Sequence, residues 1–196
     1  MELTAELADQ FEKHGYFILQ NFLPEDILKA MRAEILQLQQ SNEFRKAGIG
    51  KESDFKIDEG QRGDFICWID QQNPFPASTA YIEEINALIP QLNRTFFLGI
   101  NNYECHYAVY PSGTFYKRHS DRHKKSSPRV VSMVFYLNEN WQPEDGGQLR
   151  IYDQDKILAE VLPQAGTLVI FLSETEHEVM PTHRSRMSLT GWMRSE

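Results

Sequence analysis

Apolar residues follow a helical spacing in the first half of this chain and an alternating one in the second. That change of period predicts helices first and strands later. Residues 3 to 14 read as a short helix and Tyr16-Phe17-Ile18-Leu19 as a strand. Pro24 opens a second helix: Glu25 and Asp26 suit the positive end of its dipole, and Ile27, Leu28, Met31, Ile35 and Leu38 form an apolar stripe that needs a sheet to cover. Residues 78 to 97 predict a third helix, broken or restarted at Pro90, because proline lacks the N–H an interior turn requires. Between the second and third helices, Ser41 to Gly63 holds Gly48, Gly50, Gly60 and Gly63 among Lys, Glu and Asp with no sustained period. A loop of that length in a compact domain predicts a mobile lid beside a site.

From Tyr103 onward the pattern predicts strands over 103 to 110, 114 to 119, 130 to 137, 147 to 152, 157 to 162, 167 to 172, 177 to 181 and 185 to 193. Turn residues separate them, among them Pro111-Ser112-Gly113, Asp145-Gly146-Gly147 and Pro163-Gln164-Ala165-Gly166. About eight short strands make a jelly roll or barrel. With the helices outside one sheet, the expected fold class is α+β, a single domain over residues 1–196. Residues 1–100 would be a helical support and 101–194 the jelly-roll core, whose open mouth can hold a small ligand.

Composition changes this picture little. With 41% hydrophobic and 24% charged residues, the 196-residue chain is ordinary globular material, long enough for one full core. No apolar run approaches the ~20 residues that cross a bilayer, and Met1-Glu2-Leu3-Thr4-Ala5-Glu6 lacks the basic start and apolar stretch of a signal peptide. A soluble, cytoplasmic protein with no membrane partner is therefore expected. The net charge of -8 argues against nucleic acid, whose binders present a basic face. Cys67 and Cys105 lie in apolar or aromatic strand-like runs and read as reduced core residues rather than a disulfide.

Candidate chemistry gathers around His119-Ser120-Asp121. On a strand, residues two apart point the same way with Cα atoms roughly 6.5 Å apart, which suits two ligands of one metal. A second histidine from elsewhere would complete a two-His-one-carboxylate triad. Alone the triplet is weak: chance supplies about 0.3 such matches in a chain of this composition, and a strand-end histidine bonded to a turn aspartate explains it too. The last strand adds to it. Alternation puts Arg186, Ser188, Thr190 and Trp192 on one face and Met187, Leu189, Gly191 and Met193 on the other. If the apolar face lies against helices or the second sheet, the polar face lines the interior, where an unpaired guanidinium calls for an anion that arginine's fork can take bidentately. The opposite orientation, a solvated polar edge strand, satisfies the same pattern. Tyr136 sits in a run, Val130 to Leu137, that is mostly apolar on both faces, so its hydroxyl needs a buried partner, either a ligand carboxylate or a backbone carbonyl. His106 alternates with Cys105 and Tyr107 and reads as a lining or core residue rather than a ligand. His14 ends the first helix, and His123 and His183 fall in loops.

Taken in order, Tyr110-Pro111, Tyr116, His119-Ser120-Asp121, Tyr136-Leu137-Asn138, Gly146 to Arg150, His177 to Pro181, Arg186 and Trp192 resemble the prolyl hydroxylases of the Fe(II)- and 2-oxoglutarate-dependent oxygenase superfamily. Upstream, Arg62-Gly63-Asp64-Phe65-Ile66-Cys67-Trp68 resembles a segment of the hypoxia-factor prolyl hydroxylases and their bacterial relatives. The resemblance covers residues 44 to 194 and implies a double-stranded β-helix (jelly roll, cupin-like) core. It implies His119, Asp121 and His177 as the iron ligands, and Arg186 and Tyr136 as partners of the far carboxylate of 2-oxoglutarate, with Thr190 nearby. Tyr110 matches a pocket tyrosine beside that co-substrate. O2 would be consumed, succinate and CO2 released, and ascorbate would serve as reductant. Retaining Asp121, which superfamily halogenases replace to make room for a halide, implies hydroxylation.

For the substrate, Asp64 and Arg129 match a charged pair that shapes a peptide groove, and Trp68 and Trp192 match contacts to the target ring. A surface ion pair and ordinary core packing are the plain alternatives. The bacterial branch resembles this chain most, which implies a protein substrate with a target proline, elongation factor Tu being the candidate, and a monomer is expected. The other readings are an oxygenase of a different side chain or a small molecule, and a non-catalytic module sensing iron, oxygen or 2-oxoglutarate. The short connection from Asp121 to Val130, with Arg122, Lys124 and Lys125, departs from the eukaryotic enzymes and bears on substrate identity.

Overall fold

A computed structural model describes residues 2–49, 56–122 and 127–195; Gly50, His123, Lys124 and Lys125 lie outside the described residues. Its elements in chain order are α1 (Ala5–His14), β1 (Tyr16–Leu19), α2 (Glu25–Gln40), β2 (Arg45–Lys46), β3 (Phe65–Ile69), α3 (Thr79–Phe96), β4 (Asn102–Tyr110) and β5 (Tyr116–His119). There follow β6 (Arg129–Tyr136), β7 (Leu149–Asp153), β8 (Lys156–Val161), β9 (Leu168–Leu172), β10 (His177–Val179) and β11 (Arg186–Arg194). Two antiparallel sheets result, one in the order β1-β9-β6-β11-β4-β3-β2 and a smaller one in the order β5-β10-β7-β8. They face each other as a jelly roll.

Local chemistry sets the helix ends. The Thr4 hydroxyl accepts from the Leu7 N–H, and Gly15, at φ 72°, sends its own N–H back to the Phe11 carbonyl. α3 runs through Pro90 instead of breaking there. Pro90 lies on the exposed side, and the carbonyl it leaves without a donor belongs to exposed Asn86, where water can serve it. The helix stripes cover one face of the large sheet: Leu28, Met31 and Ile35 of α2 and Ile85, Leu88 and Leu92 of α3 share a core with Cys105, Tyr107, Met133, Phe135, Leu189 and Met193. The opposite face meets the small sheet, with Val134, Val169 and Phe171 packed among Leu149, Ile151 and Val161.

This arrangement decides the orientation of β11. It is an interior strand, paired along its length with β4 and β6, so it is no solvated edge. Its apolar face meets the helices, and Arg186, Ser188, Thr190 and Trp192 turn into the space between the sheets. Both cysteines are buried and unbridged.

All eight strands expected from residue 103 onward are present, with ends within two residues of the pattern. The N-terminal hundred residues, however, are not only a helical support. They supply β1 to one edge of the large sheet, and β2 and β3 to the other. The described parts of Ser41 to Gly63 are likewise tied down: β2 pairs with β3, Ile49 bridges Lys56, the Gln61 carbonyl accepts from Lys117, and the Gly63 N–H donates to the Phe115 carbonyl. A two-residue strand has no period to read, and its pairing partner lies about twenty residues away in the sequence.

Gly191 marks the closest approach in the large sheet. A Cβ there would stand 2.5 Å from the Glu104 carbonyl oxygen, 2.6 Å from Met133 Cε and 2.8 Å from Cys105 Cβ. Gly191→Ala should therefore destabilise the fold by about 1–3 kcal/mol through overpacking, read as a lower urea midpoint at unchanged m-value.

Candidate active site

Two strands of the small sheet, and the bend that follows one of them, bring together three side chains that could hold a metal. His119 is the last residue of β5 and His177 the first of β10, and the two are direct partners across the antiparallel pair. Their rings lie 4.3 Å apart between centroids. Asp121 falls beyond the end of β5, in a bend rather than on the strand the spacing suggested, yet its carboxylate still faces both rings. Its oxygens lie 3.6 Å from His119 Nε2 and 3.4 Å from His177 Nε2. All three ligand atoms fall within 4.8 Å of one another.

The hydrogen bonds around the cluster aim its lone pairs at one point. His119 Nδ1 lies 2.7 Å from the Lys117 carbonyl and His177 Nδ1 lies 3.0 Å from the Thr175 carbonyl. A carbonyl can only accept, so each Nδ1 carries the proton and each Nε2 presents a lone pair to the centre. Burial holds His177 down to about 4, against the opposing pull of Asp121, so it is neutral near pH 7. For Asp121, burial works upward but is outweighed by the neighbouring His177 and His119 and by the hydrogen bond from Ser132, which hold the carboxyl well below its ordinary range. Ser132 Oγ donates to Asp121 Oδ2 at 2.7 Å and lies 2.9 Å from Ser173 Oγ. Tyr116 stacks on His119 at 3.6 Å and Phe171 meets His177 edge-on at 4.7 Å, fixing the two rings from outside. Two imidazoles and one carboxylate suit a divalent ion such as Fe(II), with coordination positions left open.

Across the same pocket stands Arg186, only 1% exposed. Its Nε donates to the Gly147 carbonyl at 2.9 Å, and its Nη1 lies 3.5 Å from Ser188 Oγ. Among the described residues no carboxylate lies within 4.0 Å of it. The guanidinium carbon is 5.0 Å from the centroids of both the Tyr110 and Tyr136 rings. Tyr136 is fully buried and its hydroxyl makes no regular hydrogen bond, so no backbone carbonyl serves it. Burial pushes its ionisation up, against the nearby Arg186 charge, and it stays a phenol able to donate. A buried cation and a buried hydroxyl without an anionic partner fit the far carboxylate of 2-oxoglutarate. Tyr110 and Thr190 line the same pocket.

The residues expected to contact substrate divide. Asp64 and Trp192 line the pocket, whereas Trp68 is 50% exposed at its rim, packed on His106 at 4.9 Å, and is no core residue. Asp64 and Arg129 are not partners of one another. Arg62 binds Asp64 bidentately, at 2.7 and 2.6 Å, because both arise from the same short segment before β3. Arg129 instead bonds Glu104 at 2.7 Å, since β6 and β4 flank the same end of β11, and it lies 3.6 Å over the Trp192 ring. Sequence reasoning missed the supporting roles of Ser132, Ser173 and Gly147. Ser132 had a readable signal: a lone hydroxyl in the apolar β6 run, on the face of Tyr136.

A jelly roll carrying such a metal triad opposite a buried arginine defines the class of non-haem, 2-oxoglutarate-type oxygenases. Residues 105–194 match the 2OG-Fe(II) oxygenase superfamily, and the chain belongs to that family, in its prolyl-hydroxylase branch. A prolyl-4-hydroxylase of Pseudomonas putida superposes with a TM-score of 0.88 at 41% identity over 100% of both chains. A Trichoplax adhaerens prolyl hydroxylase, solved with a hypoxia-inducible-factor peptide fragment, gives a TM-score of 0.85 at 29% identity over 96% of this chain and 87% of its own. An uncharacterised PKHD-type hydroxylase of Synechocystis is 27% identical over 62% of this chain; the chain spans 47% of the length of that curated relative.

The supporting hydrogen bond to Asp121 is testable. Ser132→Ala should weaken divalent-metal binding by about tenfold or more, measured by anaerobic Fe(II) or Mn(II) titration. His106 gives a pH signature. Burial lowers it from 6.5 to about 3, with Asp64 and Asp121 opposing and Arg62 and Arg129 reinforcing. Between those values the unfolded chain takes up a proton that the folded chain refuses, so stability is full above 6.5 and falls as pH drops toward 3. Acid unfolding of the apo-protein should thus begin at lower pH in His106→Phe than in the wild type.

Proposed function

We propose that this protein is an Fe(II)- and 2-oxoglutarate-dependent dioxygenase that hydroxylates a prolyl residue of a protein, elongation factor Tu being the candidate. The observation that carries the reading is the buried, carboxylate-free Arg186 beside the unpartnered Tyr136 hydroxyl, opposite His119, Asp121 and His177. With Fe(II), 2-oxoglutarate and O2 bound, such a site hydroxylates an unactivated C–H bond as the co-substrate leaves as succinate and CO2.

The chain's own residues bind and orient. His119, Asp121 and His177 would hold the metal, which would supply the oxygen-activating chemistry. Arg186 and Tyr136, with Thr190 beside them, take the distal carboxylate and so fix which end of the co-substrate reaches the metal. Val134, Leu149, Phe171 and Val179 wall the space between and exclude water. A polypeptide substrate is favoured by the half-exposed Trp68 at the rim and by the peptide seen with the Trichoplax relative.

The test is anaerobic loading with Fe(II) and 2-oxoglutarate, then exposure to air with elongation factor Tu and a proline-scanned peptide panel, read by mass and succinate release. A single-oxygen mass gain on a proline is expected; a gain confined to another residue type would sink the prolyl assignment. His119→Ala and Asp121→Ala should abolish turnover. Arg186→Ala should raise the 2-oxoglutarate Kd by about 10- to 100-fold while metal binding stays within about twofold of wild type.

A further inference from the structure

The inner face of the large sheet is graded along its strands, and its register orders the gradient. At one end Arg186 pairs with Tyr110, and Ser188 sits between Ala108 and Tyr136. At the other end Thr190 sits between His106 and Val134, and Trp192 between Glu104 and Ser132. Ser132 holds Asp121, so the second end lies beside the metal cluster and the first is the carboxylate end. On the β3 side of the second end stands a polar group that neither the metal nor 2-oxoglutarate accounts for. His106 is 2% exposed, lines the pocket, and its Nδ1 has no hydrogen-bond partner. Its ring lies 5.4 Å from that of Trp192, whose Nε1 is also buried without a partner.

Such groups are rarely left unpaired in a native interior. An indole N–H can only donate, so its missing partner is an acceptor. The unpartnered His106 Nδ1 takes a donor or an acceptor, according to its tautomer. A peptide group presents both, a carbonyl oxygen and, outside proline, an N–H. The seat is also rigid. Arg129, held by Glu104, lies over the Trp192 indole, and the half-exposed Trp68 packs on both His106 and Trp192, at 4.9 and 6.3 Å.

Building on the prolyl-hydroxylase reading, we propose that His106 and Trp192 seat a main-chain peptide group of the substrate next to the target residue, making His106 a specificity-determining residue. Arg129 is then a positioning residue for Trp192 and does not itself contact the substrate. Burial keeps the His106 imidazole neutral at physiological pH, so the seat offers hydrogen bonds without a charge. Its preference is for a polypeptide, whose main chain carries a neutral hydrogen-bonding group beside every residue.

The test uses the protein loaded with Fe(II) and 2-oxoglutarate under anaerobic conditions and titrated with elongation factor Tu and proline-containing peptides. His106→Phe keeps a ring packed against the two tryptophans and removes both nitrogens; His106→Gln restores a donor and an acceptor. In His106→Phe, peptide affinity should fall about 10- to 100-fold. The 2-oxoglutarate Kd and substrate-free succinate release should stay within about twofold of wild type. Thermal stability should hold or rise, since an unpaired buried nitrogen is gone. His106→Gln should recover part of the peptide affinity. Unchanged peptide affinity in His106→Phe overturns the seat and leaves the prolyl reading standing. A parallel loss of 2-oxoglutarate binding overturns it in favour of a packing role. A wild-type protein that binds none of the polypeptides overturns the prolyl reading itself, and the seat with it.

Discussion

A guanidinium cannot be buried without an anion at small cost, and Arg186 is buried without one among the described residues. Much of the architecture exists to hold it there. β11 must be an interior strand for its polar face to be enclosed, and the helices must cover the opposite face, or Leu189 and Met193 would be left in water. Gly147 lies so close that a Cβ would stand 2.9 Å from Arg186 Cδ; the backbone there, at φ 68°, brings its carbonyl to the Nε. The guanidinium is thereby fixed before any ligand arrives, which lowers the ordering cost of binding a carboxylate.

The histidine cluster and the buried guanidinium come from different layers. His119 and His177 belong to the small sheet, and Arg186, Tyr136 and Thr190 to the large one. The link between layers is the hydrogen bond from Ser132 of β6 to Asp121, which follows β5. A ligand spanning from the histidine cluster to Arg186 would bridge the two sheets, and its binding free energy would add to the stability of the sandwich.

Much of this was legible in the sequence. The eight C-terminal strands follow from alternation and turn residues, and the face of β11 follows from period two. The orientation of that face did not follow, because alternation is the same whichever way a strand is turned; only the helix layer settles it. Pro90 misled because a rule about hydrogen-bond loss takes no account of whether the freed carbonyl is exposed. β2 carried no signal at all, being two residues long. At the site, the gathering of His119, Asp121 and His177 and the nearness of Arg186 to Tyr136 were readable from motif order, whereas ion-pair partners were not. Arg129 meets Glu104 and Asp64 meets Arg62 because of strand order, a long-range property no local pattern encodes.

The positions of the sulfur atoms give the two-faced sheet a further meaning. Every sulfur-bearing side chain in the seven strands of the large sheet, namely Cys67, Cys105, Met133, Met187 and Met193, lies in the helix-side core, and none lines the pocket. Burial, with Glu104 adding to it, pushes the Cys105 thiol up to about 12, so it remains in its less reactive protonated form. Thiols and thioethers are the side chains most readily oxidised. The backbone of the sheet thus stands as a partition, with oxidisable sulfur on one side and the metal cluster on the other, and the alternation that builds the site also keeps its softest atoms out of reach.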